Sequence, residues 1–405
     1  MKKIITVLLC IASALWVHAQ RNSTAHFSLL TCSPSVEVYS TFGHTALRYQ
    51  NPRTGSDIVF NYGLFSFDDT FLFNFVKGET LYELGVQEFD YFMEHYAYTG
   101  RGVVEQHLNF TPQEVEALYE FLRINYLPEN RAYLYNFFYD NCSSRVRDIF
   151  ASMFGHELQW KLPPLVQTDT LWIRAMHQHL VHTAQPTFRS LVQVYTTRNS
   201  WLDCGIALAL GVPADRPATE FETMFLPDCL FLFSENARIL PTATGGETRK
   251  LVSATEVLLP TEEIPKPSLF LSPNVILWIL ALVFVFISFV EFRTRRHFYW
   301  IDSLLYFVLG VVGILVCFLS FFSIHPAVFP NINIVWVQPL HIIFAILWLV
   351  PSLRKYLRYY AQFYLYVFIA MLIVYFLPVQ YIPFSFTAVF VIMLSRSVGM
   401  VWGKY

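Results

Sequence analysis

The chain has 405 residues, 28 Lys and Arg against 30 Asp and Glu, and a hydrophobic content of 55%. With 18% aromatic and only 14% charged residues, it is too apolar for an ordinary soluble enzyme, and a disordered chain is excluded. The charges divide unevenly: residues 20–266 carry 28 acidic and 18 basic side chains, whereas residues 267–405 carry two acidic and eight basic ones. This division indicates an acidic globular region followed by a membrane region, with no basic surface for nucleic acid.

The N-terminus has the pattern of a secretory signal peptide. Lys2 and Lys3 precede an apolar run that ends at Val17, and Val17-His18-Ala19 resembles a small-residue cleavage site. We expect cleavage after Ala19. Residues 1–19 are therefore predicted to be a signal peptide that exports the following domain.

Residues 20–240 are predicted to form one exported α+β domain. The β-branched and aromatic residues of 36–62 flank the turn sequence at 51–55, which predicts an antiparallel hairpin. Residues 103–110 form a further strand candidate.

Helices are predicted in the second half of this domain. Thr111-Pro112-Gln113-Glu114 has the pattern of a capping box with Pro at the first helical position, so a helix is expected to run to about Asn125. A second helix is predicted to begin at Asp140-Asn141-Cys142, and residues 155–240 look mostly helical. Residues 241–270 are rich in Pro and Gly, which predicts an irregular linker to the membrane region.

The C-terminal third is predicted to be a bundle of transmembrane helices. Long stretches without charge are broken by prolines, and a span needs about 20 apolar residues. We expect five spans, at about 271–291, 301–323, 334–352, 361–378 and 383–400.

Basic residues predict the orientation of these spans. They concentrate in the loops at 293–296 and 354–358 and in the tail at Lys404, whereas the alternate loops have none. The positive-inside rule places the basic loops and the C-terminus in the cytoplasm. The preceding domain is then outside, where a cleaved signal peptide would deliver it.

Cys142 is the strongest candidate for a reactive residue. At a helix N-terminus, unpaired N–H groups and the helix dipole favour the thiolate. His44, beside Gly43 in a predicted strand, is the candidate base, and either Asn61 or Tyr62 on the returning strand is the candidate to orient it. A buried structural cysteine and a core histidine are the alternatives.

Three motifs carry a family resemblance. Phe42-Gly43-His44-Thr45-Ala46-Leu47-Arg48, Phe60-Asn61-Tyr62-Gly63 and Tyr135-Asn136-Phe137-Phe138-Tyr139-Asp140-Asn141-Cys142 are similar to the exported domain of the bacterial lipoprotein N-acyltransferase Lnb family. A strand His followed by an Asn-Cys helix also resembles the permuted papain-like fold of the lecithin:retinol acyltransferase group. The Lnb family has a C-terminal membrane bundle as well, so the resemblance spans nearly the whole chain.

The resemblance implies a multi-pass bacterial inner membrane protein with a periplasmic N-terminal domain. Its implied activity moves an acyl chain from a membrane phospholipid, through a thioester on Cys142, to the α-amino group of a diacylated lipoprotein. His44 would take the thiol proton, and neither a metal nor another cofactor is required. Candidates for substrate binding are Arg48 and Asn141 in the matching motifs and, in an outer loop, His325, Asn331 and Asn333.

Two other readings stay open. One is a membrane-tethered cysteine peptidase or amidase of the cell wall, with water as acceptor, although a single span would suffice to tether it. The other is a non-catalytic envelope assembly protein in which Cys142 is structural. A disulfide between Cys142 and Cys32 would support this interpretation. Cys204 and Cys229 are candidates for a disulfide in an exported domain.

Overall fold

The structure of the protein is a computed structural model. It describes residues 24–402 except 36, 38–39, 66–67, 166–169, 197, 199, 242–245 and 262–268. The predicted signal peptide lies outside the described residues, as does part of the predicted linker.

The chain divides into two compact units that interleave along the sequence. The first, here the sheet unit, comprises residues up to Phe71, Thr80–Ala184 and Ala218–Ile264; the second, here the helical unit, comprises Leu72–Glu79, Gln185–Pro217 and Pro265–Tyr405. The sequence predicted a single boundary near residue 240. The division differs because Leu72–Glu79 and Gln185–Pro217, two segments of the predicted exported domain, belong to the helical unit.

The secondary structure of the described residues has ten strands and fourteen α-helices. The strands are β1 His26–Cys32, β2 His44–Asn51, β3 Ser56–Leu64, β4 Leu81–Glu88, β5 Val103–Leu108, β6 Ala132–Leu134, β7 Leu158–Gln159, β8 Arg238–Ile239, β9 Arg249–Lys250 and β10 Val252–Leu259. The helices are α1 Phe71–Lys77, α2 Phe89–Tyr98, α3 Pro112–Asn125, α4 Cys142–Phe154, α5 Leu171–His182, α6 Phe188–Thr196, α7 Trp201–Ala209, α8 Glu220–Thr223, α9 Pro227–Asn236, α10 Pro273–Thr294, α11 Tyr299–Phe322, α12 Leu340–Trp348, α13 Arg354–Val374 and α14 Phe384–Trp402.

The sheet unit is built on a seven-stranded sheet in the order β10-β5-β1-β2-β3-β4-β6. Each neighbouring pair is antiparallel. Phe92 of α2 packs on one face, against Ala46 and Val59. On the other face, the ring of Tyr119 in α3 lies 4.5 Å from that of Tyr49, and α4 packs on β2. The sheet therefore separates α2 from α3 and α4.

The predicted local elements are confirmed where their signals were strong. β2 and β3 form the expected hairpin. The helix α3 begins at the predicted capping box: Thr111 N–H donates to Glu114 Oε2 at 2.7 Å, and Glu114 N–H donates to Thr111 Oγ1 at 3.3 Å. The second predicted helix also begins where expected, with Asn141 as its N-cap.

The structure corrects the prediction of an irregular linker over residues 241–270. Residues 252–259 form β10, which pairs with β5 as the outermost strand of the large sheet. Most of its side chains are exposed, so it lacks the apolar alternation by which a half-buried strand is recognised in a sequence.

Among the described residues of the helical unit, four helices are long and apolar enough to cross a membrane: 273–294, 299–322, 351–374 and 384–402. The predicted third span, 334–352, is different. Its α-helical part is the nine-residue α12, which begins after Pro339 and ends before Pro351. Together with the 3₁₀ turn at Ile332–Val335 it makes up the apolar helical segment Ile332–Trp348, which is shorter than the other four helices.

A buried charge cluster joins three of these helices. Arg396 of α14 donates from Nε to Asp302 Oδ1 of α11 at 2.7 Å and from Nη1 to Glu291 Oε2 of α10 at 2.7 Å. His297, in the loop between α10 and α11, lies 2.6 Å from Asp302 Oδ2 through its Nε2 atom. All four side chains are at most 1% exposed. The guanidinium and the His297 imidazole are therefore the partners of two carboxylates that otherwise would lie uncompensated among apolar helices.

We predict that Arg396→Met lowers the free energy of unfolding by about 3–5 kcal/mol, because it leaves two buried carboxylates without their main partner. The measurement is thermal unfolding of the purified protein in detergent. Arg296→Met, which removes an exposed charge from the neighbouring loop, is the control and should change stability little. Equal effects of the two substitutions would contradict the prediction.

Candidate active site

The sheet unit contains a cavity of about 330 Å³ that brings together several residues predicted from the sequence. Its wall includes Gly43, His44, Asn61, Arg101, Asn141 and Cys142. A volume of this size lies in the range of ligand sites. The histidine and the cysteine proposed from sequence thus share one cavity, although 98 residues separate them in the chain.

The Cys142 thiol is held by the cap of α4. The Asn141 Oδ1 atom accepts hydrogen bonds from the backbone N–H groups of Ser143 and Ser144, both at 2.9 Å. Its Nδ2 group donates to the carbonyls of Phe137 at 2.7 Å and Phe225 at 2.9 Å. The cap thus links the start of α4 to the loop before it and to the segment before α9.

A second contact fixes α4 against strand β2. Thr45 Oγ1 and Ser143 Oγ are 2.7 Å apart, and both residues are fully buried. Backbone hydrogen bonding from Thr45 and both backbone and side-chain hydrogen bonding from Ser143 favour the Cys142 thiolate, but burial outweighs them and raises the pKa of this thiol. At neutral pH Cys142 is consequently a thiol, so a base must remove its proton before it can attack.

His44 is positioned by Asn61. The His44 Nε2 atom lies 2.7 Å from Asn61 Oδ1. Because this amide oxygen only accepts hydrogen bonds, Nε2 carries the proton and Nδ1 keeps its lone pair. Burial, and then the positive charge of Arg101, lower the pKa of His44 to about 4. The imidazole is therefore neutral at pH 7 and able to accept a proton.

The backbone at Gly63 accommodates the imidazole. Gly63 has φ +143°, and a Cβ atom built on it would lie 3.1 Å from His44 Cε1. A side chain at this position would therefore strain the backbone and crowd the ring.

Tyr62 is not the partner of His44, contrary to one of the two alternatives from sequence. Its hydroxyl donates to Asn125 Oδ1 at the end of α3, and its ring lies 6.2 Å from that of Tyr133. Side chains alternate across a strand, so Asn61 and Tyr62 point to opposite faces of the sheet. Only Asn61 lies on the face of His44.

The structure gives Arg48 and Asn141 partners within the protein. Arg48 pairs with Asp57 at 2.6 Å and with Glu105 at 3.0 Å, and its guanidinium carbon lies 3.3 Å from the ring centroid of Phe89. It is absent from the cavity wall. Asn141 does line the cavity, but both its donor hydrogens and both acceptor positions serve the cap, so its contribution is to place Cys142.

The three predicted outer-loop residues lie in the helical unit and also have partners there. His325 Nε2 lies 2.8 Å from the carbonyl oxygen of Phe75. Asn331 Nδ2 donates to the Leu208 carbonyl at 2.8 Å, and Asn333 Nδ2 donates to the Ala207 carbonyl at 2.9 Å. Asn331 and Asn333 are buried, and these contacts attach the loop to the end of α7.

The predicted disulfide between Cys204 and Cys229 is not formed, since both residues are free thiols. Cys204 Sγ lies 3.1 Å from Ser385 Oγ, and Cys229 is buried within α9. Each cysteine belongs to the packing of its own unit. Cys32 and Cys142 are also free, so the bridge that would favour a purely structural Cys142 is not formed either.

Sequence reasoning missed part of the cavity wall. Arg101 and Tyr96 reach it from the end of α2 and the turn that follows, and Phe225 reaches it from the segment before α9. The arginine stands between two glycines, Gly100 and Gly102, and that unusual setting before a predicted strand was an available signal.

Fold and site together define a membrane protein whose α+β domain carries a cysteine, a histidine and an asparagine on one cavity. The family model described as the Lnb N-terminal periplasmic domain matches residues 13–175, and the model described as the Lnb transmembrane domain matches residues 265–405. The chain belongs to the Lnb family. No curated protein and no solved structure matches it.

Family membership establishes the coarse features of the protein. It is a multi-pass inner membrane protein with a periplasmic N-terminal domain, and its family supports a lipoprotein N-acyltransferase-like role. The predicted α+β domain followed by a helical membrane bundle is confirmed.

We predict that Cys142 reacts slowly with iodoacetamide at pH 7.5 and that its rate keeps rising above pH 9. The physical reason is the raised pKa of the buried thiol, which makes the thiolate scarcer than in an exposed cysteine. The measurement is the rate of alkylation by peptide mass spectrometry across pH 5–10.

Cys142→Ala controls for reaction at the other cysteines. A rate that is already at its plateau between pH 5 and 7 would contradict the prediction, because it would mean that a thiolate–imidazolium pair exists in the resting protein.

Proposed function

We propose that the protein is a lipoprotein N-acyltransferase that uses Cys142 as nucleophile and His44 as base. The acyl donor is a membrane phospholipid, and the acceptor is the α-amino group of a diacylglyceryl-cysteine on a lipoprotein. The observation that carries this proposal is the shared cavity of Cys142 and the His44–Asn61 pair, in a chain of the Lnb family.

The first half-reaction transfers the acyl group to the enzyme. His44 Nδ1 accepts the proton of the Cys142 thiol, and the sulfur attacks the ester carbonyl of the phospholipid. The carbon–oxygen bond of the ester then breaks. The leaving alkoxide takes the proton from the imidazolium, so a lysophospholipid departs and a thioester remains.

The second half-reaction forms the amide. The neutral amine of the acceptor attacks the thioester carbonyl and gives its proton to His44 Nδ1. The carbon–sulfur bond breaks, and the Cys142 thiolate recovers its proton from the imidazolium. Backbone N–H groups at the start of α4, including that of Cys142, are the proposed donors to the oxyanion in both steps.

The requirement for a neutral base agrees with the electrostatics of the cavity. Burial disfavours both the thiolate and the imidazolium, so the proton has to move as the sulfur attacks. We also propose the orientation given by the basic loops, with the C-terminus in the cytoplasm, because it puts the catalytic domain on the side where exported lipoproteins are processed.

Intact mass of the detergent-purified protein after incubation with a phospholipid of defined acyl chains tests the proposal. We expect one added acyl group that neutral hydroxylamine removes. It should be absent in Cys142→Ala, slower by about 10²–10⁴-fold in His44→Ala, and unchanged in the control Cys317→Ala. Addition of a diacylated lipopeptide should then discharge the acyl group onto its amine.

The competing functions give different results. A cell-wall peptidase would cleave a peptidoglycan peptide through Cys142 and form no acyl adduct from phospholipid. An assembly protein would do neither while staying folded. Either result would remove the basis of the acyltransferase proposal.

A second prediction concerns Asn61. In Asn61→Asp the new carboxylate faces His44 Nε2 and favours the imidazolium, so the pKa of His44 rises from about 4. The acid limb of the pH profile of acyl-enzyme formation should therefore move upward toward neutral pH. The measurement is the rate of adduct formation from pH 3.5 to 8.

The matched control is Asn125→Asp, which makes the same change at an amide that bonds Tyr62 outside the cavity wall. Its profile should coincide with that of the wild type. If the two variants shift the acid limb equally, the effect is one of net charge, and Asn61 does not act through His44.

A further inference from the structure

Arg101 is a buried cation in the wall of the cavity. It is only 8% exposed, and it lines the same cavity as Cys142 and His44. Its Nε donates to the carbonyl of Ser33 at 2.9 Å, and its guanidinium carbon lies 4.7 Å from the ring centroid of Tyr96. The Ser33 carbonyl thus holds the Nε edge of the guanidinium, and the Tyr96 ring lies against its face.

The charge of Arg101 is not compensated by the protein. Among the described residues, no carboxylate forms an ion pair with it, and its Nη2 atom has no hydrogen-bond partner. Two other arginines described above differ: the largely buried Arg48 and the buried Arg396 each pair with two carboxylates. A buried charge without a partner is costly, so such a group is expected to receive its counter-ion from a ligand.

The charge of Arg101 acts on two neighbouring groups. Arg101 lowers the pKa of His44, and it acts in the same direction on the pKa of the Cys32 thiol. Its field thus reaches the residue that acts as base in the proposed reaction.

We infer that Arg101 binds the phosphodiester of the acyl donor. This rests on the proposed function and identifies the part of the donor that the cavity recognises. A phosphodiester oxygen is a strong acceptor for a guanidinium N–H, and the planar fork of arginine matches the geometry of phosphate. In a glycerophospholipid the phosphate is separated from the ester carbonyl by one glyceryl unit, so one molecule can present both groups to the same small cavity.

The assignment also separates the two substrates. The acceptor carries an amine and no phosphate near its reacting atom, so Arg101 attracts the donor and repels the acceptor in its ammonium form. Only the neutral amine is nucleophilic. The guanidinium therefore favours binding of the phospholipid donor in the first half-reaction. In the second half-reaction it favours the neutral form of the acceptor amine.

The test measures occupancy of the cavity without requiring acyl transfer. Cys142 is alkylated with iodoacetamide in the presence of a short-chain dialkyl-ether phosphatidylglycerol, which has no ester to cleave, or of the matching dialkylglycerol, which has no phosphate. In the wild type we expect the phospholipid ether to protect Cys142 at a concentration about 10–100-fold lower than the dialkylglycerol, the range of one charge-assisted hydrogen bond.

Arg101→Gln should remove this difference, and Arg101→Lys, which keeps the charge without the fork, should retain part of it. Arg53→Gln, an exposed arginine in the β2–β3 turn, is the control and should behave as the wild type. Because each ratio is taken within one preparation, partial unfolding of a variant does not imitate the loss.

Each outcome decides the assignment. Equal protection by both ethers in the wild type, or a ratio that survives in Arg101→Gln, would overturn it. If Arg101→Gln instead changes the alkylation rate without ligand and leaves the ratio intact, Arg101 acts on the thiol and not on phosphate. Selective protection by the phospholipid ether together with no acyl adduct from the diacyl phospholipid would keep the phosphate site and refute the proposed acyl transfer.

Discussion

The geometry of the cavity depends on one buried amide, that of Asn141. Its four hydrogen bonds join the first turn of α4 and the loop at Phe137 to the segment at Phe225, which lies 84 positions later than Asn141 in the chain. A residue at an N-cap usually satisfies only the helix it begins. Together with the contact between Ser143 and Thr45 of β2, this cap sets the position of Cys142 relative to the strand that carries His44.

Burial has different consequences for the titratable groups in the cavity wall. It keeps the thiol and the imidazole neutral, but it leaves the guanidinium of Arg101 charged, since arginine does not lose its proton in proteins. The cavity therefore holds one fixed positive charge beside a neutral imidazole and a neutral thiol. Such a site is complementary to an anionic ligand.

Local sequence rules predicted the parts of the fold whose signals lie within a few residues. The capping box at Thr111, the cap before Cys142 and the β2–β3 hairpin are of this kind. They were enough to predict one site for His44 and Cys142, which line the same cavity. The choice between Asn61 and Tyr62 was not local. It depends on strand register, in which Leu47 opposes Phe60, and a shift by one residue would exchange the two faces. Tertiary contacts place Arg101 in the cavity wall, form the exposed strand β10 and divide the chain into interleaved units. Such contacts leave no periodic pattern in the sequence.

The charge cluster around Arg396 has a consequence for how the chain is assembled in the membrane. Glu291 and Asp302 are synthesised 105 and 94 residues before the arginine that pairs with both of them. Until α14 arrives, α10 and α11 present two acids to an apolar environment, with His297 as their nearby partner among the described residues. Insertion of the last described helix thus brings the guanidinium to both acids, and a chain that stalls before α14 leaves Glu291 and Asp302 without it.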